Sequence, residues 1–494
     1  MSNTADRRAG TRAPTRVGLD VNRLTDRATR HSGISRYTRE LAVELTGVAG
    51  VEVVPIVSSK RHQHGVDRED ARADIIEQID LEPRFGTRLE HFDPHGALPW
   101  DVYHTPVGPL PGLELTGDCP RLITVHDCLH LKFPELHPNP TVVPAIRKAL
   151  DSILTDRDHA LCVSDSTRRD LHEFLEIERP QVCVIAEAAS DMYHAADAAW
   201  AANLRASLEL EQDAYLVALC QADPRKNIDT LLSAFATAYH AGRINGMTLA
   251  AVCSTGYAGT LTEWAARADL PPSAVRVITD VNDRVLAGLY AGAAFSVYVP
   301  LYEGFGLPPL ESMAAGCPVL VSGTSSLPEV VADAGLYASP NIPESIADGL
   351  ATLARSEDAR DTLRHAAIDR ARGFTWRRTA EETADYYRYM LEHRAVATAG
   401  AAPVVPLAPA STESTPWAPA IARWMRSKSG VLVLFWAFLV AIALASPGAI
   451  ALMQDAAPWW IGASSALAGL AAAALLVVAV PYLMLRAQRD ARPR

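Results

Sequence analysis

The chain has 494 residues, 49% of them hydrophobic and 21% charged, with a formal net charge of −11. That length and apolar content exclude both a single-core domain and a disordered chain. The acidic balance, with no basic stripe to neutralise phosphates, excludes a nucleic-acid partner.

In chain order, residues 1–15 are polar with no apolar h-region, so a disordered tail and no signal peptide are expected. From residue 16 to about 395, short apolar runs alternate with helical patterns, which argues for α/β architecture with parallel sheets covered on both faces. Strands are expected at 16–21, 51–57, 101–105, 121–125, 160–164 and 181–186, and then at 214–220, 247–253, 275–279, 294–299 and 318–322. A polar, alanine-rich stretch near 187–212 separates the two sets. The expectation is therefore two doubly wound, Rossmann-like domains, 16–200 and 201–395, the second including a crossover helix near 376–395. Ligands of such sheets bind beyond the strand carboxyl ends, here in the cleft between the domains. Seven cysteines form no CxxC pair and read as buried free thiols in a reducing compartment.

Four stretches carry chemistry. "HSGISRYTREL" places Gly33 at a helix start after the first strand, a weak signal alone. "TVHDCLHLKFPE" ends a strand with His126 and Asp127. The histidine there can donate to a ligand hydroxyl across the cleft, with the aspartate orienting it. His126 and His130 have the spacing of a metal pair, but the glutamate of HExxH is missing and Pro134 follows, so no metal is expected. The Asp156-Arg157-Asp158 run precedes a strand and reads as a solvated loop. "QADPRKNIDTLLSAF" sets Arg225 and Lys226 between a strand and a helix. Two cations beside free helix N–H groups suit a diphosphate. "YEGFGLPPLE" puts Glu303 before, and Glu311 one turn inside, a helix whose first turn holds Pro308. The glycines at 304 and 306 let the backbone approach a ligand. No P-loop, GxSxG or early GxGxxG supports a kinase, hydrolase or dinucleotide reading.

Beyond the catalytic body, 396–429 is an Ala/Pro-rich linker. Residues 431–453 and 459–485 are each long enough to cross a ~30 Å hydrocarbon layer, which takes about 20 residues. A transmembrane hairpin is expected over 430–486. Basic residues flank its outer ends and are absent from its loop, which places both termini on the cytoplasmic side of the membrane.

Taken in order, "VGLDVNRL", "SGISRYTREL", "TVHDCLHLKFPELHP", "VSDSTRRDL", "DPRKN", "YEGFGLPPLESMAAGCPVLVS" and "SSLPEVVADAGLY" resemble the retaining glycosyltransferases of family 4, over about residues 16–395. The resemblance implies the GT-B fold, two Rossmann-like domains facing across a cleft, and a nucleotide-sugar donor used without metal or other cofactor. It implies that Glu311 receives ribose hydroxyls, that Glu303 and His126 lie at the donor sugar, and that the N–H groups of Phe305, Gly306 and Leu307 hold sugar hydroxyls. Arg225 and Lys226 would stabilise the departing diphosphate, with the Gly33 loop closing over it. The mannosyltransferase-like branch is the nearest in pattern. That suggests GDP-mannose as donor, a glycan or lipid-linked acceptor, and a membrane-anchored role in polysaccharide or glycolipid synthesis. A UDP- or dTDP-sugar transferase, a nucleotide-sugar epimerase and an inactive nucleotide-sugar-binding scaffold are the alternatives.

Overall fold

The computed structural model describes residues 13–25, 32–58, 90–92, 99–106, 119–136, 143–144, 147, 158–175, 181–194, 198–210, 214–244 and 246–397. The expected transmembrane hairpin, the linker beyond residue 397 and most of the amino-terminal tail lie outside them. Among the described residues no helix is long and apolar enough to cross a membrane.

Among the described residues, two all-parallel sheets form the body. The first has seven strands: β1 (Thr15–Asp20), β2 (Val51–Ser58), β3 (Glu90–Phe92), β4 (Val102–Thr105), β5 (Arg121–Val125), β6 (Asp158–Cys162) and β7 (Val182–Val184). Their order is β3-β2-β1-β4-β5-β6-β7. The second has six: β8 (Ala214–Cys220), β9 (Met247–Cys253), β10 (Val275–Ile278), β11 (Phe295–Tyr298), β12 (Val319–Ser322) and β13 (Gly335–Ala338), in the order β10-β9-β8-β11-β12-β13. Each sheet grows outward from its first strand and then reverses, which is the doubly wound pattern. The reversals fall between β1 and β4 and between β8 and β11. Central strands such as β9 are buried along their whole length, as continuous Val, Leu and Ala runs require when helices cover both faces.

Two strands escape the sequence pattern for physical reasons. β3 has three residues, and β13 is a half-exposed edge strand that starts on a glycine. Neither offers an apolar run. β6 also starts earlier than its apolar residues, at Asp158, which is fully buried and held bidentately by Arg121 of β5 at 2.5 Å. Asp158 is thus a strand residue neutralised within the sheet, not part of a solvated loop. All seven cysteines are buried free thiols.

Helix α1 (Gly33–Leu45) begins on the cap Ser32, whose hydroxyl accepts from the Ser35 N–H at 3.3 Å. It packs beside the last described helix, α6 (Trp376–Ala397). That helix buries Trp376, Ala380, Ala384, Tyr387 and Met390, a stripe at helical spacing. Its stripe returns to the first sheet. The Tyr387 hydroxyl lies 2.6 Å from His104 Nδ1, Tyr386 bonds His159 at 3.0 Å, and Thr379 donates to the Ala186 carbonyl at 2.8 Å.

His104 is fully buried, with Nε2 2.9 Å from Thr124 Oγ1. Burial, with His126 nearby adding to it, pushes its pKa down to about 3. The unfolded chain binds a proton near the ordinary value of about 6.5, and the folded chain does not. Stability therefore falls as pH drops below 6.5, by at most about 1.4 kcal/mol per unit for this one group. We expect the unfolding midpoint to fall between pH 7.5 and 5, and His104→Gln to make that fall shallower. An unchanged pH slope in the variant would show that His104 titrates normally in the fold.

Candidate functional site

The reversal between β8 and β11 positions the centre of the site, because the loops leaving these two neighbouring strands splay apart and open a crevice. After β8, Asp223 accepts from the Arg225 N–H at 3.0 Å and pairs with its side chain at 3.2 Å, fixing a short turn over Pro224–Lys226. Asn227 then adopts the left-handed conformation (φ 60°) and donates to the carbonyls of Val299 and Pro340 at 3.0 and 2.9 Å. From it starts helix α3 (Ile228–His240), α2 being Asp165–Leu175 in the first domain. The Leu301 N–H donates to the Arg225 carbonyl at 2.8 Å, tying the two loops together.

Glu303, on the loop after β11, is 7% exposed. Its Oε1 accepts from Lys226 Nζ at 2.5 Å and from the Tyr298 hydroxyl at 2.7 Å, and Oε2 lies 3.8 Å from Arg225. Burial alone would raise the pKa of this carboxyl. Lys226 and Arg225 outweigh burial and hold it below the usual range. Glu303 is therefore an anion that fixes both cations in place.

Helix α5 (Leu307–Ala314) begins on Gly306, whose φ of +110° suits only glycine, and carries proline in its first turn. The N–H groups of Phe305, Gly306 and Leu307 stand at this start, where a helix has no acceptors of its own. Glu311 lies one turn on and is 2% exposed. It does not face the Arg225 and Lys226 cluster in open water. It pairs with Arg36 of α1, whose guanidinium also binds Asp283 of helix α4 (Asp283–Gly292) at 2.5 Å. Gly33 sits beside this contact. A side-chain Cβ there would meet Leu307 only at an ordinary 3.6 Å, so packing within the protein does not demand the glycine.

The loop from Tyr302 to Gly304 is docked onto the first domain. The Gly304 carbonyl accepts from Ser164 at 2.5 Å and from Thr167 at 3.1 Å, and the Tyr302 hydroxyl bonds Asp170 at 2.7 Å and the Cys128 N–H at 3.1 Å. A Cβ on Gly304 would overlap the carbonyl oxygen of His126. The His126 backbone therefore lies against the glutamate loop. The orientation of the ring differs from the expected one. Asp127 does not steer the ring: it accepts from the Leu129 N–H at 3.1 Å and lies 3.4 Å from Arg225. The ring is held instead by Glu187, 2.9 Å from Nδ1, and by the Pro106 carbonyl, 2.8 Å from Nε2. Asp127 is one residue past the ring on a turning backbone, which points it to its own helix start and to the cation opposite.

The structure thus brings Asp127, Arg225, Lys226 and Glu303 together, sets His126 against Gly304, and joins Glu311 to the Gly33 helix through Arg36. Arg36, Ser164 and Thr167 lie in motifs already singled out, without a pattern to distinguish them from surface polar residues. Glu187, Tyr298 and Asp283 carry no local signal, since their partners are distant in sequence. Among the described residues no cluster of side chains suits a metal ion. A separate cavity of about 400 Å³ between Arg205, Tyr215, Arg360 and Arg364 shares no residue with this cluster.

Comparison with known proteins fits this geometry. The family profile for glycosyl transferases group 1 matches residues 201–372. The chain is 30% identical over 297 residues to the O-antigen chain mannosyltransferase B of Escherichia coli, covering 58% of this chain and 74% of that protein. It is 40% identical over 142 residues to a GDP-mannose-dependent alpha-(1-6)-phosphatidylinositol dimannoside mannosyltransferase of Mycobacterium tuberculosis, covering 27% of this chain and 36% of that one. Among solved structures, sucrose-phosphate synthase from Thermosynechococcus elongatus superposes with a TM-score of 0.59 at 19% identity, over 76% of this chain and 99% of that one. That likeness concerns the fold.

The docked loop gives a direct test. Gly304→Ala cannot keep the Gly304 carbonyl on Ser164 and Thr167, bonds worth about 0.5–1.5 kcal/mol each. The variant should unfold at a lower temperature and lose activity by about a hundredfold, the usual effect of a displacement near 1 Å at a reacting centre. Unchanged unfolding and turnover would mean that the loop works undocked.

Proposed function

The chain belongs to the group 1 glycosyltransferases, and we propose that it is a retaining mannosyltransferase that moves mannose from GDP-mannose to a glycan or lipid-linked acceptor at the cytoplasmic face of a membrane. The observation that carries this reading is the pairing at one strand reversal of the half-buried Arg225 and buried Lys226 with Glu303, on the loop that leads into α5, where Glu311 lies one turn inside the helix. The similarity to the O-antigen and phosphatidylinositol mannosyltransferases supports mannose, and the GDP-mannose dependence of the latter supports GDP. The two apolar runs at 431–453 and 459–485 support a membrane anchor.

The donor diphosphate meets Arg225, Lys226 and the start of α5, and Glu311 exchanges Arg36 for the ribose hydroxyls. The acceptor oxygen bonds to the sugar C1 on the face from which the phosphate departs, as the C1–O bond to the diphosphate breaks. The acceptor proton passes to the departing phosphate oxygen. Negative charge grows on the leaving group, and fixed cations and helix N–H groups are most effective there, one such donor being worth about 2.7–4 kcal/mol. No step requires a metal ion.

Thermal unfolding of the full-length chain with GDP, UDP and dTDP tests the donor. At 100 times its dissociation constant a ligand stabilises by about 2.7 kcal/mol. GDP alone should raise the midpoint, and Glu311→Ala should abolish the rise. A rise with UDP or dTDP instead would reassign the donor, and none with any nucleotide would favour a scaffold. The anchor is tested by deleting residues 420–494: transfer to the native membrane acceptor should fall. Unchanged transfer would remove the hairpin from acceptor access.

A further inference from the structure

The contact between buried Glu187 and His126 has no part in the transfer step proposed for this site. Glu187 follows β7 and is 3% exposed, and its Oε1 lies 2.9 Å from His126 Nδ1. On the other side of the ring, Nε2 lies 2.8 Å from the carbonyl oxygen of Pro106. A main-chain carbonyl only accepts hydrogen bonds, so Nε2 must carry a proton. An ionised carboxylate also only accepts, so against Glu187 in that form Nδ1 carries one too. A ring with both nitrogens protonated is a cation.

We infer that Glu187 is a positioning residue that holds His126 as a doubly protonated imidazolium, so that the strand end after β5 contributes a fixed positive charge to the donor cleft and no general base. The ring has no lone pair left to accept a proton and no free N–H to give a sugar hydroxyl. What His126 turns toward the glutamate loop is its carbonyl, against Gly304.

Other groups also face this ring. The rings of His126 and of Tyr37 from α1 meet at a right angle with centroids 4.9 Å apart, and the Tyr37 hydroxyl lies 3.2 Å from Thr124. His104, from β4, is held neutral. Asp127 adds negative charge from the next position, and Arg225, which faces Asp127, supplies the opposing one. Burial alone would lower the ring's titration. Glu187, followed by the Pro106 carbonyl and Asp127, reverses that and raises it above the ordinary value. The carboxylate in "IAEAAS" thus has a function although no turn motif marks it.

This inference rests on the donor cleft proposed above, but its first test does not. A pKa raised in the fold stabilises fully below the unfolded value of about 6.5 and loses that contribution as pH rises through the folded value. Unfolding midpoints of the full-length chain and of Glu187→Gln, without ligand, should therefore differ most at pH 6 and converge toward pH 9. Gln keeps the shape and removes the charge. Glu187→Asp should keep the pH dependence in part. A gap that does not change with pH would overturn the imidazolium and leave a neutral hydrogen bond. If Glu187→Gln does not fold, the same gap is read between wild type and His126→Gln.

The second test is the pH profile of sugar transfer. In Glu187→Gln its alkaline limb should move down by about one to three units, the range expected when an opposite charge is removed at this distance. A superimposable profile would show that the charge has no part in turnover. Should the wild type neither bind a nucleotide nor turn over, the cleft reading fails, and the unfolding arm still decides the charge on His126.

Discussion

Everything in the site depends on one contact, the landing of the Tyr302–Gly304 loop on the first domain. A peptide carbonyl, that of Gly304, is removed from water there and must find donors; Ser164 and Thr167 supply them. The absence of a side chain at 304 lets this backbone lie on the backbone of His126. Once that contact is made, Glu303 is shut into the crevice between the loops after β8 and β11. A carboxylate enclosed in this way is costly unless paired, and Lys226, Tyr298 and Arg225 are what make it tolerable. The contact therefore sets the charge state of the site as well as its shape.

The same reasoning covers three other buried carboxylates and the half-buried Asp127. Glu311 has Arg36, Asp127 has Arg225, Glu187 has His126 and Asp170 has Lys132. Each pair links elements far apart in the chain, and the first two join one domain to the other. In this arrangement the cleft is balanced internally, carboxylate against cation. Under the proposed function a diphosphate is received by exchange, with its own charges taking over the partners of displaced carboxylates. Such exchange favours a ligand whose charges match the cations in number and position, because a poorly matched ligand leaves a buried group unpaired. Specificity then arises from the penalty on wrong ligands as much as from contacts to the right one.

How much of this was legible beforehand follows from the range of the interactions. Patterns set by neighbours in sequence could be read: eleven of the strands from their apolar runs, the helix start after Gly306 from its glycine and prolines, and the cation turn from its place between strand and helix. β3 and β13 could not be read, being too short or too exposed to bury a run of apolar residues. Among site residues, Arg225, Lys226, Glu303 and Glu311 stood out by spacing. Their partners did not, because Arg36, Tyr298 and Glu187 become relevant only when the sheets are formed and the domains meet. The orientation of His126 was misread for the same reason. An adjacent aspartate is the obvious steering group in sequence, whereas the actual one is Glu187, from the far side of β6.

Helix α6 shows that the fold and the site are not separable. It follows the second sheet in the chain, yet its buried stripe lies on the first, with Trp376 edge-on to Tyr37 and Tyr387 bonded to His104. Tyr37 in turn abuts His126, and His104 shares Thr124 with Tyr37. The chain of contacts from α6 to the His126 ring is thus short, and hydrogen bonds link Tyr387, His104, Thr124 and Tyr37 within it. A ring so surrounded has few rotamers to choose from, and low local dielectric strengthens each bond it makes. A freely rotating histidine would lose its charge to solvent screening and its position to entropy. The packing of a helix from the end of the described chain is therefore part of what lets one imidazole hold a charge inside the cleft.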